Sequence, residues 1–296
     1  MSRRIPAILA MTLLSVVGAD GTKAAHSAFP GKNGRIAYNV VASGVGVWIS
    51  TISPDGTRIR RVISTRAEAF SPAWSADGRR IVFVMGSSIW RVNGDGNRLT
   101  RIVRVVDPES PAWSPDGTMV VFAARRSGGN FDIYVVGTNG KGLRRLTTSA
   151  GVDEHPSWSP DAKRIAYTHS GRVGSGELWT MGANGTARRR IGLGSAPDWA
   201  PDGKLIAFVR GPDLWIAKAD GSKAVRVIGG PGMAGDPAWS PDGRSIVFWS
   251  DRASAEATKG DLYITSVDGE SVERLTNEPE LWHFAPSWQP LARRIG

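Results

Sequence analysis

Three histidines in the body of the chain could do acid–base or metal chemistry: His155, His169 and His283; a fourth, His26, lies close to the N-terminus. A catalytic histidine needs a partner that orients it, and a metal needs several ligands converging on one point. Neither H-x-H nor H-x-x-x-H occurs, so the spacing predicts no metal site and no cofactor. Cysteine is absent, which removes disulfides, thiolate ligands and a lipidated cysteine. There is no G-x-S-x-G elbow and no P-loop. Gly230-Pro-Gly-Met-Ala-Gly235 matches G-x-G-x-x-G, but Pro231 interrupts it and Asp236-Pro237-Ala-Trp follows where a helix should start. It reads as a loop. Asn93-Gly-Asp-Gly-Asn97 looks like part of a calcium loop, yet it falls where other parts of the chain carry a hairpin turn, and the turn is the better reading.

The elements that would position these residues are repeated. P-x-W recurs at Trp74, Trp113, Trp158, Trp199, Trp239 and Trp288. A turn of the S-P-D-G kind follows the first five, with its aspartate at Asp77, Asp116, Asp161, Asp202 and Asp242. Next comes an apolar run such as Arg80-Ile-Val-Phe-Val84, then an alternating one such as Asp132-Ile-Tyr-Val135. A D-G or N-G turn and a basic run such as Leu143 to Leu146 complete each unit. Four short strand patterns per unit of roughly 40 to 45 residues are the sequence signature of a β-propeller blade. The first unit, beginning at Arg35, lacks P-x-W, and the C-terminus supplies P-x-W alone. The expected fold is therefore an all-β, six-bladed propeller of four-stranded antiparallel blades, its ring closed by the C-terminal strand joining the N-terminal blade. The tryptophans and turn aspartates are read as structural, since a buried Trp removes about 150–250 Å² from water.

The pattern P-x-W-S-P-D-G-x-x-I-x-F, then D-I-Y, then L-R-R-L-T, clearest from Arg80 to Thr148, resembles the TolB-type propeller repeat of bacterial envelope proteins. Ser250-Asp251-Arg252 matches the S-D-R that follows the second strand in that family. The resemblance implies an envelope protein. It covers the propeller only: the sequence leaves no room for the α/β domain that precedes the propeller in TolB, which puts a role in the Tol–Pal system in doubt. Some propellers with similar repeats are metal-dependent sugar lyases, and this is the alternative reading of function.

Arg3 and Arg4 precede an apolar stretch from Ile5 to Gly18, and Val17-Gly18-Ala19 offers a small-residue cleavage pattern. Residues 1–28 are expected to be a signal peptide and 29–296 the propeller, in a periplasmic or secreted monomer with no stable membrane insertion. The formal charge of +10 comes largely from arginines spread over the fourth strands, such as Arg144, Arg145 and Arg188 to Arg190. That even distribution reads as a solvated rim that discourages edge pairing, not as a nucleic-acid surface. One face of the disc carries tight turns, and the other carries loops of variable length. Function is expected on the variable face. The candidates there are Arg126, Asn130, His155, His169, Asp251, Arg252, Trp282, His283 and Phe284, with Arg125, Asp153, Glu154, Arg172, Glu256 and Lys259 near them, and the expected partner is an envelope protein or a glycan.

Overall fold

A computed structural model describes residues 29–63, 65, 67–126, 129–171, 176–253 and 259–291. The signal-peptide reading of residues 1–28 lies outside them, as do Arg172 and Glu256. Among the described residues there are 24 strands, arranged as six four-stranded antiparallel sheets. Blade 2 is β4 (Ala69–Trp74), β5 (Arg80–Met85), β6 (Ser88–Asn93) and β7 (Thr100–Arg104). Blade 3 is β8 (Pro108–Trp113), β9 (Met119–Arg125), β10 (Phe131–Gly137) and β11 (Arg144–Arg145). Blade 4 is β12 (Val152–Trp158), β13 (Arg164–Ser170), β14 (Glu177–Gly182) and β15 (Arg189–Leu193). Blade 5 is β16 (Ser195–Trp199), β17 (Leu205–Arg210), β18 (Asp213–Lys218) and β19 (Val225–Ile228). Blade 6 is β20 (Ala234–Trp239), β21 (Ser245–Ser250), β22 (Asp261–Ser266) and β23 (Val272–Arg274).

Blade 1 closes the ring. Its innermost strand is β24 (Leu281–Leu291), paired antiparallel with β1 (Lys32–Ala42), which is followed by β2 (Gly46–Ile52) and β3 (Arg60–Arg61). The pairing runs from Lys32 opposite Leu291 to Ala42 opposite Leu281, longer than the short closing strand suggested by Pro286 to Trp288.

Each repeated tryptophan wedges into the blade before it. Trp113 packs with Ala73, Val82 and Ile89 of blade 2, and Trp158 with Val121 and Ile133 of blade 3. Trp288 packs with Ala238, Val247 and Leu262 of blade 6. At ~25 cal/mol/Å² one such ring contributes about 4–6 kcal/mol, as an upper figure. The turns are closed by their own acids: Asp77, Asp116, Asp161, Asp202 and Asp242 each accept the backbone N–H two residues on, at 2.9–3.1 Å. Asp95 does the same with Asn97 at 2.9 Å, so Asn93 to Asn97 forms a hairpin turn between β6 and β7.

The arginines differ from a uniformly solvated rim. Thirteen residues separate the acid that opens strand three from an arginine in strand four, and the two meet: Asp132 with Arg145 (2.8 Å), Glu177 with Arg190 (2.6 Å), Asp213 with Arg226 (3.4 Å) and Asp261 with Arg274 (2.5 Å). Arg61 and Arg101 instead lie over Trp48 and Trp90, 4.5 and 5.8 Å from the ring centres. Exposed members such as Arg60, Arg98 and Arg144 keep the rim basic.

Gly78 is where the closing strand leaves least room. Its φ is +65°, and a Cβ there would lie 2.1 Å from the carbonyl oxygen of Pro290 in β24. Gly117, in the same turn of blade 3, has φ +69° but nothing nearer than 3.9 Å. Gly78→Ala is therefore expected to destabilise by more than about 3 kcal/mol, against about 1 kcal/mol for Gly117→Ala. Chemical denaturation of the two variants checks the difference.

Candidate functional site

The six innermost strands β4, β8, β12, β16, β20 and β24 each contact the next around the ring, and so surround its axis. Three residues before every repeated tryptophan the backbone enters the left-handed region: Ser71, Ser110, His155, Ala196, Asp236 and Ala285 have φ of 50–53°. A register shift accompanies this residue in all six blades, and so does a proline immediately after it. The bulge bends the strand where the blades crowd together, and proline suits it because no ladder N–H is lost. The residues one step earlier, among them Phe70, Glu109, Glu154 and Phe284, are half-buried where the inner strands begin, on the loop face.

Bonds across the blade junctions hold the inner strands together. Ser71 N donates to Asn39 Oδ1 (2.7 Å), Ala196 N to Thr168 Oγ1 (3.0 Å) and Ala285 N to Asp236 Oδ2 (3.1 Å). Asp198 accepts from Trp239 N (2.8 Å) and Ser157 Oγ (3.3 Å). Burial pushes the Asp198 carboxyl up to about 8, against the hydrogen bonds that favour its charge, and the Asp236 carboxyl up to about 7. Asp236 Oδ1 is buried without a hydrogen-bond partner.

On the loop face two junctions carry related polar clusters with opposite electrostatics. Between blades 6 and 1, Asp261 receives Arg274, Thr276 Oγ1 (2.9 Å) and His283 Nδ1 (3.2 Å). Burial opposes charge there, but the bonds from His283, Arg274 and Thr276 hold the Asp261 carboxyl below its ordinary range. Between blades 3 and 4, Asp132 meets Arg145 and Thr147 in the same way, yet Asp153 occupies the strand position that His283 holds in β24. Burial raises the Asp132 carboxyl, with Asp153 adding to the rise and Arg145 opposing it. Asp153 is itself buried, bonded to Ser149 Oγ (2.8 Å) and to His169 Nδ1 (2.6 Å). The His169 ring meets the edge of Trp179, whose Nε1 donates to Glu177 (3.0 Å).

These clusters place the sequence-derived candidates. His283 is 1% exposed and sits against Tyr38 as part of ring closure, and His155 is buried in its bulge. His169 is half-buried, oriented by Asp153. Asp251 accepts Met233 N (2.6 Å), tying the 229–233 loop to blade 6, and Arg252 lies over Phe248 and Tyr263. Arg126 and Asn130 are exposed in the β9–β10 connection, where Asn130 donates to Ala150 O. Trp282 and Phe284 are half-buried two residues apart in β24. Among the described residues no group of three or more histidine or acidic side chains is arranged to hold a metal ion. The buried Asp198 and Asp236 were not singled out from sequence. Their only signal is an acid next to the repeated proline, where the other copies carry alanine or serine and, in blade 4, His155 before the proline.

The family profile described as TolB beta propeller domain matches residues 27–211. The chain belongs to this family. Among solved structures, this TolB-type propeller is similar to TolB from Acinetobacter baumannii, at 24% identity and a TM-score of 0.76, over 87% of this chain and 67% of that one. A putative TolB from Agrobacterium tumefaciens aligns at 20% identity and 0.66, over 87% and 99%. Oligogalacturonate lyase in complex with manganese aligns at 14% identity and 0.57, over 83% and 85%, which is a likeness of fold alone. No curated protein matches the sequence.

Asp236 gives the TolB-type propeller a pH dependence whose sign is fixed. An unfolded Asp titrates near 3.8 and the folded one near 7, so the fold favours the protonated form and loses stability as pH rises between those values. Asp236→Asn keeps an acceptor for Ala285 N and cannot ionise. Relative to wild type it is expected to gain on the order of 2–4 kcal/mol at pH 8 and almost nothing at pH 4. Denaturant melts at both pH values check this.

Proposed function

We propose that the protein is an exported, non-catalytic binding scaffold whose loop face engages another envelope protein or a glycan. The observation that carries this reading is the difference between the two faces. The tight-turn face repeats one acid-closed turn around the ring. The loop face presents residues that do not repeat, with Phe70, Phe284 and Trp282 half-buried beside Glu109 and Glu154 where the inner strands converge. Half-exposed aromatics beside acids, displayed on a rigid ring, suit recognition.

The histidines favour binding over catalysis. A sugar-lyase reading needs them free and convergent with carboxylates, whereas His283 is locked to Asp261 and His155 is buried in a strand bulge. His169 alone offers an oriented ring on the loop face, held by Asp153. Export rests on Arg3, Arg4, the apolar stretch from Ile5 to Gly18 and Val17-Gly18-Ala19, and implies a periplasmic or secreted location. No helix among the described residues is long and apolar enough to cross a membrane.

Capture from the envelope fraction, with the protein as bait beside a Trp282→Ala/Phe284→Ala variant, tests the assignment. A partner retained by the first and lost by the second, at equal melting temperature, is the expected result. Equal retention by both would move the working surface elsewhere.

A further inference from the structure

On the tight-turn face, a groove of about 700 Å³ lies between blades 1 and 2. Arg35, Arg60, Arg79, Arg80 and Arg98 line it against only Asp77 and Asp95, an excess of three positive charges. Both acids are already engaged. Asp77 accepts from Ser75 Oγ (2.5 Å) and Arg79 N (3.0 Å) and faces Arg80 at 3.5 Å. Asp95 accepts from the backbone and side chain of Asn97 at 2.9 and 3.1 Å. Among the described residues, Arg35, Arg60, Arg79 and Arg98 make no ion pair with a carboxylate.

Arg35 departs from its repeat. At the same position in blades 2 and 4, Arg80 and Arg164 lie over the next blade's tryptophan, 5.0 Å from Trp113 and 4.6 Å from Trp199. Arg35 turns instead to its own blade, where Thr51 Oγ1 (2.9 Å), Thr51 O (3.1 Å) and Arg58 O hold its guanidinium with uncharged oxygens. Arg60 reaches across the junction to Asp95 O (2.6 Å). Burial lowers the Arg35 pKa first, and the neighbouring Arg60 and Arg58 lower it further, with Tyr38 and Asp55 opposing them less strongly, the mark of crowded like charges. Those bonds use Nε and both Nη2 hydrogens, and Ser53 Oγ lies 3.5 Å from Nη1. Arg35 therefore brings a fixed positive charge to the groove, while the exposed guanidiniums of Arg60 and Arg98 are the ones able to close on a tetrahedral oxyanion.

We propose that this groove binds a sugar phosphate, with Arg60 and Arg98 closing on the phosphate from the two blades above the fixed positive charge of Arg35. The volume exceeds what one inorganic phosphate fills and lies in the range of small-molecule sites. Three excess charges favour a phosphate dianion over a single carboxylate. The site lies on the face opposite the proposed partner surface and stands independently of it. Its ligand is a phosphomonoester on a hexose, either free or at the end of a glycan.

Calorimetric titration at low salt with glucose 1-phosphate tests it, using wild type, Arg60→Gln/Arg98→Gln and, as a charge-matched control, Arg144→Gln/Arg189→Gln on blades 3 and 4. All four substituted arginines are exposed, so the fold is expected to survive. Wild type and control should bind alike, and the groove variant at least about tenfold more weakly. A phosphorylated mannopentaose then separates the sources: binding as tight as glucose 1-phosphate assigns a glycan end, and exclusion assigns the free sugar. No binding, equal binding to both variants, or tighter binding of trigalacturonate than of glucose 1-phosphate would overturn the proposal.

Discussion

The pairing of β24 with β1 is the contact on which the rest of the ring depends. It joins residues some 250 positions apart, so its loop-closure cost is met only when every intervening blade is already in place. Left open, blade 1 would lack its innermost strand, Trp288 would lack its pocket in blade 6, and the inner edge of β1 would be unpaired. Side chains reinforce the ladder at several points along it. His283 and Tyr38 fill the loop-face end, Asp236 holds Ala285 in the middle, and Gln289 reaches Gly78 O (2.7 Å) on the turn face.

Around that closure the fold divides its labour by radius. Near the axis, crowding selects left-handed bulges and small or neutralised polar side chains. Midway out, each tryptophan binds one blade to its predecessor. At the rim, arginines pair with the acid that opens strand three or stack on the aromatic two residues after it, so much of the net charge also pins the short outer strands. Specific recognition is left to the places where the repeat is broken: the loop face near β24, and the groove where Arg35 abandons its stacking position.

What could be read from sequence follows from how local each signal is. Trp74 and its five counterparts, and the aspartates of the turns, announce themselves because their partners lie within a few residues or one period away. The thirteen-residue spacing of Asp132 and Arg145 is equally regular but is masked by the abundance of arginine. The bulge was hidden because Ser71, Ala196 and Ala285 have no preference for positive φ; ring geometry imposes it. The role of His283 was hidden because its position relative to Asp261 depends on closure, and that relation decides that the ring is interior rather than exposed. Asp153 and Asp132 come together from neighbouring blades 3 and 4, through blade packing that neither residue's own stretch of sequence announces.

Native-state hydrogen exchange of β24 and β1 is the most direct test of this dependence. If closure is the constraint that holds the ring, amides from Lys32–Ala42 and Leu281–Leu291 should open only in global unfolding, with the same free energy as those of β8 and β12. Exchange from β24 through a separate, much less costly opening, while the other inner strands stay protected, would contradict it.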